Sequence, residues 1–201
     1  RKAIEVFPKL MAYHRWFIAA RDPKNRGVIS IIHPWESGRD NCPDWDIGMR
    51  NIVVPDNLES YARRDTSHVD SDQRPTQEQY DRFITIVKFG RECGWDNQTI
   101  HAEGPFLMAD PGVQFIFLRA SRDLLAMAQH LGMDMAVDEI RGWVDRVEAG
   151  SDFLWNEEVG GYCARDLRTG QFSDAITNAS TLSFFADVGS PEQRASMAAH
   201  C

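Results

Sequence analysis

Apolar and aromatic positions recur along most of the chain at the spacing of one helix face. Phe7, Leu10, Met11, His14, Phe17 and Ile18 form the first such stripe. Pro8 beside it fits a first turn or a kink. Tyr80, Phe83, Ile84 and Val87, with Phe89, form a second. Val113, Phe117, Leu124, Met127 and Leu131 form a third, and Val137, Ile140, Val144 and Val147 a fourth. Two shorter helical patterns finish the chain, around Thr181 to Ala186 and after Pro191.

Boundary residues support these segments. Thr76 and Gln79 have capping-box spacing ahead of the second stripe, and Gly94 follows it. Asp110 and Pro111 open the third, with Gly132 at its end. Ser190 is placed to cap the last helix. Asn41 as cap with Pro43 in the first turn predicts a short helix that Pro55 ends. Val28 to Ile32 is a β-branched run that reads as extended. Tyr162 to Ala164 and Gln171-Phe172 flank a turn at Asp166 to Gly170, which predicts a small β-hairpin. Long loops remain, from Arg21 to Asn41 and from Pro55 to Pro75. The prediction is an all-α fold of successive amphipathic helices with that one hairpin. Periodicity leaves a bundle, a solenoid and a closed α/α toroid open.

The 201 residues are enough for one sizeable domain or part of a larger one. A net charge of -8 argues against a nucleic-acid surface or an anionic membrane as partner, since either needs a basic face. It leaves a small-molecule ligand and an oligomer open. Cys42, Cys93, Cys163 and Cys201 are too scattered for a CxxC metal site and read as reduced residues of a cytoplasmic protein. No apolar run is long enough to span a bilayer, and no signal peptide is visible. The chain starts at Arg1 on a helical pattern and stops at Cys201 within another, so a segment of a longer protein is expected.

One stretch, HPWESGRDNCPDWD at positions 33 to 46, suits neither a core helix nor a core strand. Trp35 offers a flat apolar face for the C–H side of a sugar, and Gly38 lets the backbone turn or a ligand approach closely. Asp40 precedes a helix start, a suitable place for a working carboxyl group. Each of these residues also has a plain structural use. Asp40, Asp44 and Asp46 can favour a helix N-terminus, Trp45 can be core, and Glu36 can tie the loop down. On the residues alone the structural use is the better reading.

The segments AYHRWF, HPWESGRDNCPDWD and DSDQRPTQEQYDRF together resemble the bacterial mannosylglycerate and glucosylglycerate hydrolases. These belong with glycoside hydrolase family 63 and its trehalase-like relatives. The resemblance rests on Trp35, Glu36, Ser37, Gly38, Asp40, Asn41, Pro43, Trp45 and Asp46, and on Arg74, Pro75, Thr76, Tyr80, Asp81 and Arg82. LWNEEVGGYCARDLRTG resembles a later family element that is weak by itself. Cys42 departs from the family's usual serine, which would affect Asp40 if that serine orients the acid. The resemblance implies an (α/α)6 toroid and hydrolysis of an α-glycosidic bond with inversion. Asp40 would be the general acid, with Trp35, Gly38 and Tyr80 lining the sugar or glycerate site. It calls for no cofactor. The glutamate acting as general base would lie beyond Cys201, so residues 1–201 are expected to be the middle part of one catalytic domain. Glu103, Glu157 and Glu158 are not candidates for that role; the last two read as solvated hairpin or helix-end charges.

A carboxylate-bearing substrate needs a cationic or hydroxyl-rich partner, and Arg39, Arg74 and Arg82 stand near the motifs. Each can equally be an exposed or ion-pairing residue. Two other functions stay open: an α-glucosidase or trehalase-like enzyme acting on a neutral sugar, and a non-catalytic helical sugar-binding or interaction module. A metal enzyme is the weakest reading. His14, His33, His68, His101, His130 and His200 show no tight ligand spacing, His14 falls on a helix face, and His68 with Asp70 reads better as a hydrogen-bonded loop than as a metal site.

Overall fold

The structure, a computed structural model, describes residues 2–65 and 69–201. Helix α1 (Lys2–Arg21) carries Phe7, Met11 and His14 into the core, and Pro8 lies inside it. After strand β1 (Ser30–Ile31) the chain passes through two 3-10 turns, Pro34–Ser37 and Pro43–Trp45, into the short helix α2 (Asp46–Arg50). Helices α3 (Gln77–Glu92) and α4 (Asn97–Glu103), strand β2 (Met108–Ala109) and helices α5 (Pro111–His130) and α6 (Asp134–Gly150) follow. Strands β3 (Trp155–Asn156), β4 (Gly161–Tyr162) and β5 (Arg165–Asp166) precede helices α7 (Asn178–Phe185) and α8 (Pro191–Ala198).

The helices start where their caps predict. Thr76 and Gln79 make both halves of a capping box, as do Ser190 and Gln193. Asp110 caps α5 with both oxygens, accepting from Gly112 N at 2.9 Å and Val113 N at 3.3 Å. Gly94 and Gly132, both at positive φ, follow α3 and α5. The expected cap at Asn41 is not made. Cys42 occupies the N-cap of the 3-10 turn without a side-chain bond, and Asn41 Nδ2 instead reaches Gln73 O at 3.5 Å. On α3 the buried positions are Phe83, Ile86 and Gly90, so Ile86 replaces Ile84 and Val87 on the inward face. That one-position rotation follows from what α3 covers: Phe83 and Ile86 pack with Ile31, Trp45, Met49, Ile52, Phe106 and Met108 in one buried cluster.

The mostly helical prediction holds, with two small sheets added. The turn between Asp166 and Gly170 is present, but its first flank is Arg165, opposite Phe172, one residue beyond the expected Tyr162 to Ala164. Tyr162 pairs one hairpin earlier, opposite Trp155. A second sheet, in the order β1-β2-β5, joins Ser30 to Ala109 and Ala109 to Arg165. Its strands are two residues long and far apart in sequence, so local periodicity could not reveal it. The larger core cluster lies between α5, α6 and α1. Within it the fully buried Gln114 accepts from Ile29 N at 2.8 Å and donates to Gly27 O at 2.7 Å and Val147 O at 2.9 Å. Gly27, at φ +75°, meets Gly150 so closely that a Cβ on Gly150 would stand 2.1 Å from Gly27 O. The segment leading to β1 is thereby pinned to the end of α6. No helix among the described residues is long and apolar enough to cross a membrane.

Candidate active site

The 3-10 turn Pro34–Ser37 begins at a buried histidine. His33 Nδ1 accepts from Trp35 N at 3.0 Å, and Nε2 lies 3.1 Å from Phe83 O. Those roles require a neutral ring protonated at Nε2. Burial pushes its pKa down to about 4, against the backbone bond to Phe83 and the nearby charge of Asp40. The Trp35 ring stands 4.3 Å from that of His33 and 5.8 Å from Phe83, with 43% of the residue exposed. Tyr80 extends the shelf at 6.2 Å. Tyr80 is held from behind by Tyr61, stacked at 5.5 Å, and by the Arg63 guanidinium at 4.5 Å. Tyr61 donates to Asp81, and burial first and that carboxylate second push its phenol up to about 12.

Glu36 is the loop anchor that its structural reading predicts. It accepts from the Arg21 guanidinium and, at 2.8 Å, from Ile32 N. Gly38 closes the turn at φ +68°, where a Cβ would meet no atom within 4 Å. Its left-handed backbone, rather than close packing, is what calls for glycine there.

Arg39 is not available to a ligand carboxylate. Its Nη2 donates to Asp110 Oδ1 at 2.8 Å, and its Nη1 lies 3.3 Å from Asp44 Oδ2 and 3.4 Å from Thr177 Oγ1. The guanidinium also covers Trp45 at 5.1 Å, and Trp45, 1% exposed, donates from Nε1 to Arg39 O at 2.9 Å. Burial works against the Arg39 charge, but Asp110 and Asp44 together hold its pKa above the ordinary value. Burial pushes the Asp110 carboxyl up, opposed by Arg39 and by two backbone donors. Asp44 is therefore a buried ion-pair partner rather than a helix-start charge. Cys42 lies half-buried beside this group; burial raises its thiol pKa, and all four cysteines are free.

Asp40 has a different setting. It lies on a cleft of about 520 Å³ whose lining includes Asn41, Asp46, Asp72, Arg74 and Arg82. Its side chain is 34% exposed, and Arg74 Nη2 stands 3.8 Å from Oδ2. Arg74 is braced by Asp65, 3.4 Å from Nε, which in turn binds Arg63 at 2.6 Å. Arg82 reaches the same cleft while pairing with Glu78 at 2.6 Å. Trp35, Gly38 and Tyr80 do not line this cleft, but Phe83 does, and it touches both aromatic rings of the shelf. The two features thus adjoin at Phe83, and Asp40 lines the cleft side. Glu103, Glu157 and Glu158 are exposed at other places in the fold. His68 lies outside the described residues, and among those residues no group of three metal-ligating side chains comes together.

The model of the mannosylglycerate hydrolase MGH1-like glycoside hydrolase domain matches residues 1–201. The chain belongs to this family. It is 43% identical over 199 residues to a mannosylglycerate hydrolase of Thermus thermophilus, covering 98% of this chain and 47% of that protein. Identity to mannosylglycerate hydrolase MGH1 of Selaginella moellendorffii is 40% over 196 residues, covering 98% and 40%. A glucosylglycerate hydrolase of Mycolicibacterium hassiacum is 34% identical over 160 residues, 79% of this chain and 35% of that one. A crystal structure of the GH63 mannosylglycerate hydrolase from Thermus thermophilus, in complex with Tris and D-glycerate, superposes with a TM-score of 0.92 at 40% identity. That match covers 98% of this chain and 47% of the other. The chain thus spans less than half the length of these family members.

Proposed function

We propose that residues 1–201 are the middle part of one (α/α)6 catalytic domain, and that the whole protein is an inverting α-glycosidase acting on glucosylglycerate or mannosylglycerate. Asp40 is the general acid. The observation that carries this reading is its place on the cleft, part-exposed and beside Arg74, with Phe83 linking that cleft to the Trp35–Tyr80 aromatic shelf. Membership of a glycoside hydrolase family supports the same reaction class.

In this mechanism Asp40 donates a proton to the glycosidic oxygen as the bond to the anomeric carbon breaks. A glutamate outside this chain takes a proton from water on the opposite face, roughly 6.5–9.5 Å away. Trp35 and Tyr80 pack against the sugar ring, and Gly38 gives it room. Arg74, beside Asp40, meets the glycerate carboxylate, since Arg39 is fully engaged elsewhere. No cofactor is needed for these steps. The free cysteines support a cytoplasmic setting.

The test is to incubate the full-length protein with glucosylglycerate, mannosylglycerate and trehalose and to follow the first-formed sugar by proton NMR. The reading expects a glycosylglycerate to be cleaved with the β-anomer appearing first. Cleavage of trehalose alone would move the substrate to a neutral sugar, and binding without turnover would favour a non-catalytic module.

A further inference from the structure

We propose that Arg39 is a positioning residue for the general acid, acting through a buried polar clamp that ties the Asp40 loop to the N-termini of α5 and α7. The inference rests on the assignment of Asp40 as proton donor.

Among the described residues, the side chain of Asp40 has one guanidinium at ion-pair distance, and it is part-exposed. Its immediate neighbour is held on every side. The Arg39 backbone N–H donates to Ser37 Oγ at 3.0 Å, and its carbonyl accepts from Cys42 N at 3.0 Å and Trp45 Nε1 at 2.9 Å. Its side chain, 14% exposed, binds two carboxylates that are 0% and 1% exposed. One of these, Asp110, is the N-cap of α5. The other, Asp44, accepts from Thr177 Oγ1 at 3.1 Å, and Thr177 is the N-cap of α7. One guanidinium therefore joins three segments separated by 71 and 138 positions. The two carboxylates are met by two different nitrogens of one rigid planar fork, a span that the single nitrogen of an ammonium does not offer. Moving position 39 by a fraction of an ångström moves the Asp40 Cα with it, since the two are joined by a rigid peptide unit. Misplacing a catalytic group by about 1 Å is enough to lower turnover about 100-fold.

The predicted signature depends on the leaving group. Without the proton, glycerate would have to depart as a high-energy alkoxide; fluoride in an α-glycosyl fluoride departs with far less help. In the full-length enzyme, Arg39→Gln should lower kcat on the glycosylglycerate about 100-fold while lowering it on the matching glycosyl fluoride less than about 5-fold. Arg39→Lys should fall between Arg39→Gln and wild type. Thr177→Val, which removes one hydroxyl from the clamp and keeps its charges, should show the same selectivity at smaller size and serves if Arg39→Gln fails to fold. Equal losses on both substrates, in the variant that folds, would mean that the clamp only maintains the folded fraction and would overturn the proposal. Asp40→Asn is the control. If it lacks leaving-group selectivity, the acid assignment fails and this one with it; if only the clamp variants lack it, the positioning role alone fails.

Discussion

Asp40 and Arg74 face each other at 3.8 Å, one carried by the loop before α2 and the other by the segment before α3. The pair places a potential proton donor next to a cation that Asp65 braces and the cleft exposes. A glycosylglycerate has the matching groups a few bonds apart, a glycosidic oxygen and a carboxylate.

Arg74→Gln in the full-length enzyme should therefore raise KM for glycosylglycerates by roughly 10- to 100-fold, the loss expected for one hydrogen bond to a charged group. An α-glucoside with an uncharged aglycone should show little change. Steady-state kinetics on the two substrates separate these outcomes, and equal losses on both would take Arg74 out of glycerate recognition.

His33 makes the Trp35 shelf sensitive to acid. Its folded pKa of about 4 lies below the ordinary value of 6.5, so the unfolded chain binds the extra proton first. Stability should be retained above about pH 6.5 and be lost as pH falls towards 4, by an amount on the order of 3 kcal/mol from this group. Urea unfolding of wild type and His33→Gln across that range checks this. The variant should be less stable at neutral pH and show a shallower acid dependence; parallel curves would remove His33 as the cause.

Gly38 distinguishes a turn residue from a sugar-binding one. With no atom within 4 Å of a Cβ and φ at +68°, Gly38→Ala should cost about 1 kcal/mol through backbone strain alone. If the sugar approaches this backbone, KM rises as well. Thermal denaturation together with kinetics separates the two effects, and an unchanged KM would confine Gly38 to the turn.

Glu36 belongs to the motif but should act on stability. It is the partner of an Arg21 side chain that is 7% exposed, and it also holds Ile32 N. Glu36→Ala should lower unfolding free energy by about 2 kcal/mol or more, since it leaves a buried guanidinium short of its anion. Denaturant unfolding measures this directly, and a change within about 0.5 kcal/mol, the range usual for surface substitutions, would contradict it.

The helices and most of their ends were legible because periodicity and capping are local. Thr76, Asp110 and Ser190 behave as their sequence context predicts. Asn41 does not, because the residues around it answer to contacts far along the chain: Asn41 itself to Gln73, and Arg39 to Asp110 and Thr177. The same long separations hid the β1-β2-β5 sheet and the clamp around Arg39. Gln114, polar and fully buried, interrupts the apolar pattern of α5, yet its three backbone partners lie on other segments. Asp40 could be singled out through the motif around it; composition and spacing by themselves favoured a structural use.

The most direct measurement of the central claim is the turnover of Asp40→Asn in the full-length protein on glucosylglycerate and mannosylglycerate, with the melting temperature recorded alongside. A neutral amide keeps the shape of the side chain and removes its transferable proton. The account predicts that kcat falls about 100- to 10,000-fold while the melting temperature stays close to that of the wild type. Turnover near the wild-type rate from the folded variant would contradict it.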